Sequence, residues 1–124
     1  IEQDLYVNPL MADNMADIEN NNSCLYCDLS FQSLRDRNLD GVNLSGSRLQ
    51  SADFTNSSLS GANFSDTNLV DTNFTGANLE NSNFTNAVIE SADFRLTTVK
   101  IIDLEDASYI CNVKLSGGIE NIDC

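Results

Sequence analysis

Every fifth residue from Leu29 to Tyr109 is large and apolar, seventeen positions in a row that run through Leu34, Leu39, Leu44, Leu49, Phe54, Leu59, Phe64, Leu69, Phe74, Leu79, Phe84, Ile89, Phe94, Val99 and Leu104. Two residues before most of them stands a small side chain, as at Ala52, Ser57, Ala62, Thr67, Ala77, Ala87 and Ala92. The remaining positions of each five are mostly Asn, Asp, Ser, Thr or Gly. Five residues advance a helix by about 500°, which would spray the apolar set around its axis, so an amphipathic helix is excluded. Small and large positions two apart fit strand-like alternation onto one face. The next small position comes three residues later, so the chain must bend between units to keep facing inward. Four such bends close a coil of 20 residues, and coils stack at the ~4.8 Å spacing of paired strands. The pattern predicts a solenoid.

The units SADFT, GANFS and TNFTGANLENSNF resemble the pentapeptide-repeat family, and the resemblance spans residues 27–109. It implies an all-β fold, a right-handed quadrilateral β-helix of about four coils. Reading at intervals of twenty sorts the apolar positions into four columns. The first holds Leu29, Leu49, Leu69, Ile89 and Tyr109; the second Leu34, Phe54, Phe74 and Phe94. The third holds Leu39, Leu59, Leu79 and Val99; the fourth Leu44, Phe64, Phe84 and Leu104. The two Phe ladders are expected on opposite faces, meeting in a core filled by alternating large and small side chains.

Both ends of such a stack expose unpaired backbone and need caps. Residues 1–26 form the expected N-terminal segment, with a helix over 8–19. There Asn8 suits the N-cap and Pro9 the first helical position, while Met11, Met15 and Ile18 share one stripe. Residues 1–7 are expected to fray. Gln32 and Arg37 fall at inward small positions, and their long side chains are expected to reach the cap or bend out to solvent. Residues 110–124 form the expected C-terminal cap of this single domain.

The segment NSCLYCDL is similar to the CxxCDL opening of cyanobacterial and chloroplast-lumen family members, and CNVKLSGGIENIDC resembles their C-terminal segment. That resemblance implies two disulfides, Cys24–Cys27 and Cys111–Cys124. The second closes a loop of 14 residues, worth about 3 kcal/mol in the chain-entropy account. It would clamp Ile110, Val113, Leu115, Ile119 and Ile122 over the last coil. An even cysteine count with none inside the repeats suits an oxidising compartment, a thylakoid lumen or periplasm. The chain begins at Ile1, and any leader is expected to be gone. A zinc site is not expected, because the two cysteine pairs stand at opposite ends of a stack ~20 Å tall. Thiol–disulfide redox work through Cys24 and Cys27 is one alternative, although Cys27 opens a strand rather than a helix.

Charge and composition narrow the chemistry. Nineteen acids against six Lys and Arg give a net charge of −13, and there is no His. Direct nucleic-acid binding lacks a cationic stripe, and anionic headgroups repel such a chain. No apolar run approaches the ~20 residues of a membrane span, so no membrane insertion is expected. Without His the commonest general base and metal ligand are missing. Asp36-Arg37-Asn38-Leu39-Asp40-Gly41 matches the opening of an EF-hand loop, but the twelfth position is Ser47 instead of Glu. No cofactor, no metal and no catalytic residue are expected, and the chain is not read as an enzyme. The family's best-known activity, binding DNA gyrase by mimicking duplex DNA, is the other alternative that the net charge invites. Outward positions nevertheless carry no continuous carboxylate ladder, and residues 1–27 hold five of the net negative charges. Val70, Val88, Leu96 and Ile101 place apolar side chains where other repeats are polar or Gly; cap packing or a partner patch accounts for them. The reading is a rigid, monomeric scaffold that binds a protein partner.

Overall fold

A computed structural model describes residues 9–124, with side chains from Asn14 onward. The expectations of fraying over residues 1–7, of an Asn8 cap and of a Met11 side chain on the helix stripe therefore fall outside the described residues. From Ser23 to Asp93 the chain pairs with itself in parallel at an offset of 20, one paired residue in every five: Ser23 with Asn43, Asp28 with Arg48, Ser33 with Asp53, Asn38 with Ser58 and onward. Each coil thus has four sides. The stack is held by backbone bonds such as the Leu59 N–H to the Asn78 carbonyl (2.7 Å) and the Arg48 N–H to the Cys27 carbonyl (2.9 Å).

The bend between sides has one local origin. The second residue after each central apolar residue from Leu29 to Phe94 adopts the left-handed conformation, with φ of 57° at Asp36, 59° at Asn56 and 57° at Asp66. Gly41, Gly46, Gly61 and Gly76 occupy the same place. Gly is free in this region and Asn and Asp tolerate it, which explains why the corners are written mostly in those residues.

Phe54, Phe64, Phe74 and Phe94 are fully buried. Phe54, Phe74 and Phe94 stack nearly parallel at 5.2 and 5.0 Å, and Phe64 stacks on Phe84 at 5.3 Å. The two ladders meet edge to face, Phe64 against Phe74 at 5.3 Å and Phe84 against Phe94 at 5.7 Å, the arrangement aromatic quadrupoles favour. Hydroxyls at inward small positions are satisfied by the coil beside them: Ser47 Oγ donates to the Cys24 carbonyl (2.9 Å), Thr72 Oγ1 to that of Leu49 (2.8 Å) and Ser82 Oγ to that of Leu59 (2.9 Å). The narrow core therefore admits Ser and Thr without an unpaired polar atom among the described residues.

Helix α1, Pro9–Asn21, closes the N-terminal end. It runs two residues past the expected end, and Asn22 then turns left-handed (φ 51°) while donating its N–H to the Ile18 carbonyl, a common helix stop. Ile18 is buried and Met15 packs against the core. Arg37 reaches the cap as expected, its guanidinium 3.7 Å from Glu19 with the side chain 40% exposed.

At the other end the repeat departs from the expected register. Strand β1 (Val88–Glu90) pairs in parallel with β2 (Tyr109–Cys111), Ile89 opposite Ile110, so the offset has become 21. Ile110, not Tyr109, is the buried residue above Ile89. Six residues separate Leu104 from Ile110 instead of five, and the strict period ends at Leu104 rather than Tyr109. The preceding corner is also rebuilt. Ile101 falls where a left-handed residue belongs, a conformation costly for a β-branched side chain, and Ile101–Leu104 form a 3₁₀-helix instead. A hairpin of β3 (Val113–Leu115) and β4 (Gly118–Glu120) finishes the chain, tied down by the pairing of Lys114 with Asp93. Ile110 and Val113 are buried and Leu115 packs against the core, but Ile119 and Ile122 are exposed. The cap thus covers the stack with three of the five side chains assigned to it, because the hairpin turns β4 outward.

Candidate functional site

Three surfaces carry the chemistry legible in the sequence: the cysteine-bearing ends, the polar columns and the apolar corners. Cys24 and Cys27 form a disulfide with their Cα atoms 5.6 Å apart. The Cys27 N–H donates to Ser47 Oγ (3.1 Å), and the same hydroxyl donates to the Cys24 carbonyl, so Ser47 latches the loop to the coil above. Cys24 is 2% exposed and Cys27 9%. The groove beside Cys27 is lined by Asp17 and Asp28 as well as Arg48. Carboxylates beside a thiol oppose its ionisation, and a thiolate attacking either sulfur would need access that burial denies. Cys111 and Cys124 form the second disulfide, Cα atoms 5.5 Å apart, at the opposite end.

The polar columns have a structural duty that the sequence reading did not assign. Asn or Asp immediately before a central apolar residue accepts the N–H two residues on: Asn63 from Ser65 (2.9 Å), Asn73 from Thr75 (2.9 Å), Asn83 from Thr85 (2.9 Å), Asp93 from Arg95 (3.0 Å). These are Asx turns that prepare each corner. Asp40, the fifth residue of the EF-hand-like run, accepts the Ser60 N–H at 3.0 Å from the coil above. Its run is an ordinary stretch of repeat, and among the described residues no cluster of His, Cys, Asp and Glu can hold a metal ion.

Column composition bears on DNA mimicry. Ser33, Asp53, Asn73, Asp93 and Lys114 follow one another up one face, and Asp28, Arg48, Asn68 and Val88 up the next. Acids alternate with neutral or cationic neighbours, whereas one DNA strand presents a phosphate about every 3.4 Å. Several acids are paired as well. Arg35 lies 3.6 Å from Asp53, and Arg95 contacts Asp93 at 2.7 Å. The Arg95 hydrogen bonds, with Lys114 adding to them, hold the Asp93 carboxyl below the usual range against the effect of its own burial. Ser30 does the same for Asp28 through its hydroxyl and its N–H, with the Arg48 charge contributing less.

The four apolar candidates do not form one patch. Val70 and Val88 flank the Leu69–Ile89 face and are half-buried. Leu96 stands at a corner after Phe94 with φ of 61° and is 79% exposed. No cap covers its side chain; Ser116 Oγ accepts only its N–H (3.1 Å). Ile101, at the following corner, packs against the core. The sequence reading did not single out Ile102 and assigned Ile122 to the cap; both are more than half exposed and join Ile101 and Ile110 along an apolar groove of about 420 Å³ beside the 3₁₀-helix. The signal available was Ile102 itself, an isoleucine where the period calls for a small residue.

A parallel, four-sided solenoid with Asx-built corners and a Phe-stacked core defines a class of repeat protein. The family model for pentapeptide repeats matches in eight copies over residues 26–61, 38–76 and 62–98, and the chain belongs to this family, whose members form right-handed β-helices. No curated protein sequence matches the chain. Among solved structures it is similar to Rfr23, a pentapeptide repeat protein from the cyanobacterium Cyanothece 51142, at 19% identity and TM-score 0.48 over 85% of this chain and 95% of that one. It is also similar to QnrB1, a plasmid-mediated fluoroquinolone resistance protein, at 20% identity and TM-score 0.26 over 72% of this chain and 60% of that one. A pentapeptide repeat protein of the Arabidopsis thaliana thylakoid lumen shares 31% identity at TM-score 0.19 over 59% of this chain and 65% of that one.

Proposed function

We propose that this protein is a non-enzymatic, monomeric solenoid of about four coils that acts as a rigid protein-binding scaffold in an oxidising compartment, a thylakoid lumen or periplasm. The observation that carries this reading is the division of labour in the chain. Ring stacks and the aliphatic columns beside them fill the interior, and the repeated polar side chains are committed to corners and columns, which leaves the apolar side chains exposed at the capped ends as the chemistry free to meet a partner. The two disulfides and the even cysteine count support an oxidising compartment. The DNA-mimic alternative has the net charge of −13 in its favour and the interrupted acid columns against it. Non-reducing peptide mapping of protein from its native source, with thiols trapped at lysis, tests the reading. Full pairing of Cys24–Cys27 and Cys111–Cys124 is expected. Four free thiols would overturn the exported scaffold and bring gyrase binding forward, and a mixed state confined to Cys24–Cys27 would favour redox work.

A further inference from the structure

We propose that the groove beside the 3₁₀-helix is the docking site of this scaffold, and that its occupant is a partner segment carrying apolar side chains flanked by Lys or Arg. The inference rests on the binding-module reading above and adds the place and the partner's chemistry. The groove is lined by Ile101 and Ile102 of the 3₁₀-helix, by the buried Ile110 and by Ile122 with Asp123. Ile102 is 63% exposed and Ile122 60%, so two isoleucines that contribute little to the core stand open to water along one groove.

The walls are fixed rather than loose. The Asp123 carboxylate accepts the Ile110 N–H at 2.7 Å, and the Asp123 N–H donates to the Ile110 carbonyl at 2.9 Å. The adjoining Cys124 is bonded to Cys111. In the 3₁₀-helix the Asp103 carboxylate accepts the Lys100 N–H at 2.9 Å and holds the first turn. A pre-formed groove spends little ordering entropy on binding.

Charge selects the occupant. Residues 100–124 hold the acids Asp103, Glu105, Asp106, Glu120 and Asp123 against two cations, Lys100 and Lys114. Lys114 is paired in register with Asp93 on another face. Glu105 lies on the groove itself. A second copy of this chain would bring the same acidic rim against the first, and like charges meeting across an interface are strongly disfavoured. A Lys- or Arg-flanked apolar segment satisfies both the isoleucines and the rim.

The test uses the intact, disulfide-bonded protein and two fluorescently labelled synthetic peptides of alternating Leu with Lys or Leu with Glu, read by anisotropy. The Lys peptide is expected to bind and the Glu peptide to fail. I102S together with I122S is expected to weaken binding about tenfold or more at an unchanged melting temperature, because both side chains are already exposed. E105Q is expected to weaken it less and to flatten its salt dependence. F31S, at the exposed corner of the opposite end, is the control and is expected to change nothing. Equal affinity in I102S/I122S would show attraction to net charge alone and overturn the groove assignment, as would loss of binding in F31S, absence of binding by the Lys peptide, or dimerisation of the free protein through this face. None of these outcomes touches the compartment and cysteine pairing on which the scaffold reading is tested.

Discussion

Replacing Phe74 with Leu removes one ring from the centre of the aromatic stack while keeping the coil's geometry, since Leu34 already occupies the base of the same column beneath Phe54. Phe74 is fully buried and touches four rings: Phe54 at 5.2 Å and Phe94 at 5.0 Å in near-parallel stacks, Phe64 at 5.3 Å and Phe84 at 6.3 Å edge-on. Each pair is worth about 0.5–1.5 kcal/mol beyond area burial, and neighbouring pairs do not add fully. The ring also fills volume that Leu leaves partly empty. We expect F74L to cost about 2–3 kcal/mol, approaching the ~3–5 kcal/mol of a Phe-to-Ala change. Phe84 has only one stacked partner, Phe64, and two edge contacts, and it lies nearer the surface at 4% exposure. F84L is therefore expected to cost about 1–2 kcal/mol. Urea unfolding of the oxidised protein, followed by far-UV circular dichroism with the slope held common, measures the difference. Equal losses in the two variants, or a loss below ~0.5 kcal/mol in F74L, would refute the argument that the ring stack stabilises beyond its apolar area.

Removing the C-terminal disulfide with paired Ser substitutions at Cys111 and Cys124 is expected to lower stability by about 3 kcal/mol, against about 2 kcal/mol for the shorter Cys24–Cys27 loop; thermal unfolding with and without reductant checks both. L96N is expected to raise stability by roughly 1 kcal/mol, because Leu96 is left-handed and exposed while Asn occupies the equivalent corner at Asn56 without strain. D93N keeps the Asx turn, as Asn73 does, and loses only the charge on Arg95. The folded Asp93 carboxyl titrates below its unfolded value, so its contribution is present above about pH 4 and disappears as pH falls through the folded value. D93N should accordingly cost about 0.2–1 kcal/mol at neutral pH and progressively less as the pH falls through the folded value, measured as the difference between the two melting curves. An unchanged difference across that range would assign the effect to packing.

Much of this fold was legible because its periodicity is local. A central residue, a small residue two before it and a turn residue two after it suffice to set strand, inward face and corner, and Ala62, Phe64 and Asp66 are one such triad. The helix at Pro9 and the reach of Arg37 to the cap followed from the same reasoning about ends. The Asx turns were not read, since Asn63 or Asn83 looks the same in a sequence whether it faces water or accepts a neighbouring N–H. Of the candidate site, the cysteines were found from their positions and their family resemblance. The groove was not, because Ile102 and Ile122 are twenty residues apart and only the hairpin brings them to one place.

Sequence by itself determined the coil, the columns and their contents, for a five-residue code needs no long-range information beyond stacking on the previous turn. Only the tertiary structure decided how the stack ends. An isoleucine that resists the left-handed corner turned Ile101–Leu104 into a 3₁₀-helix, and one extra residue before Ile110 moved Tyr109 off the core. Which side chain then covers the last coil depends on competition among Tyr109, Ile110, Ile119 and Ile122 for a single apolar surface. That competition is settled by register and by the hairpin's direction, and neither is written in the period.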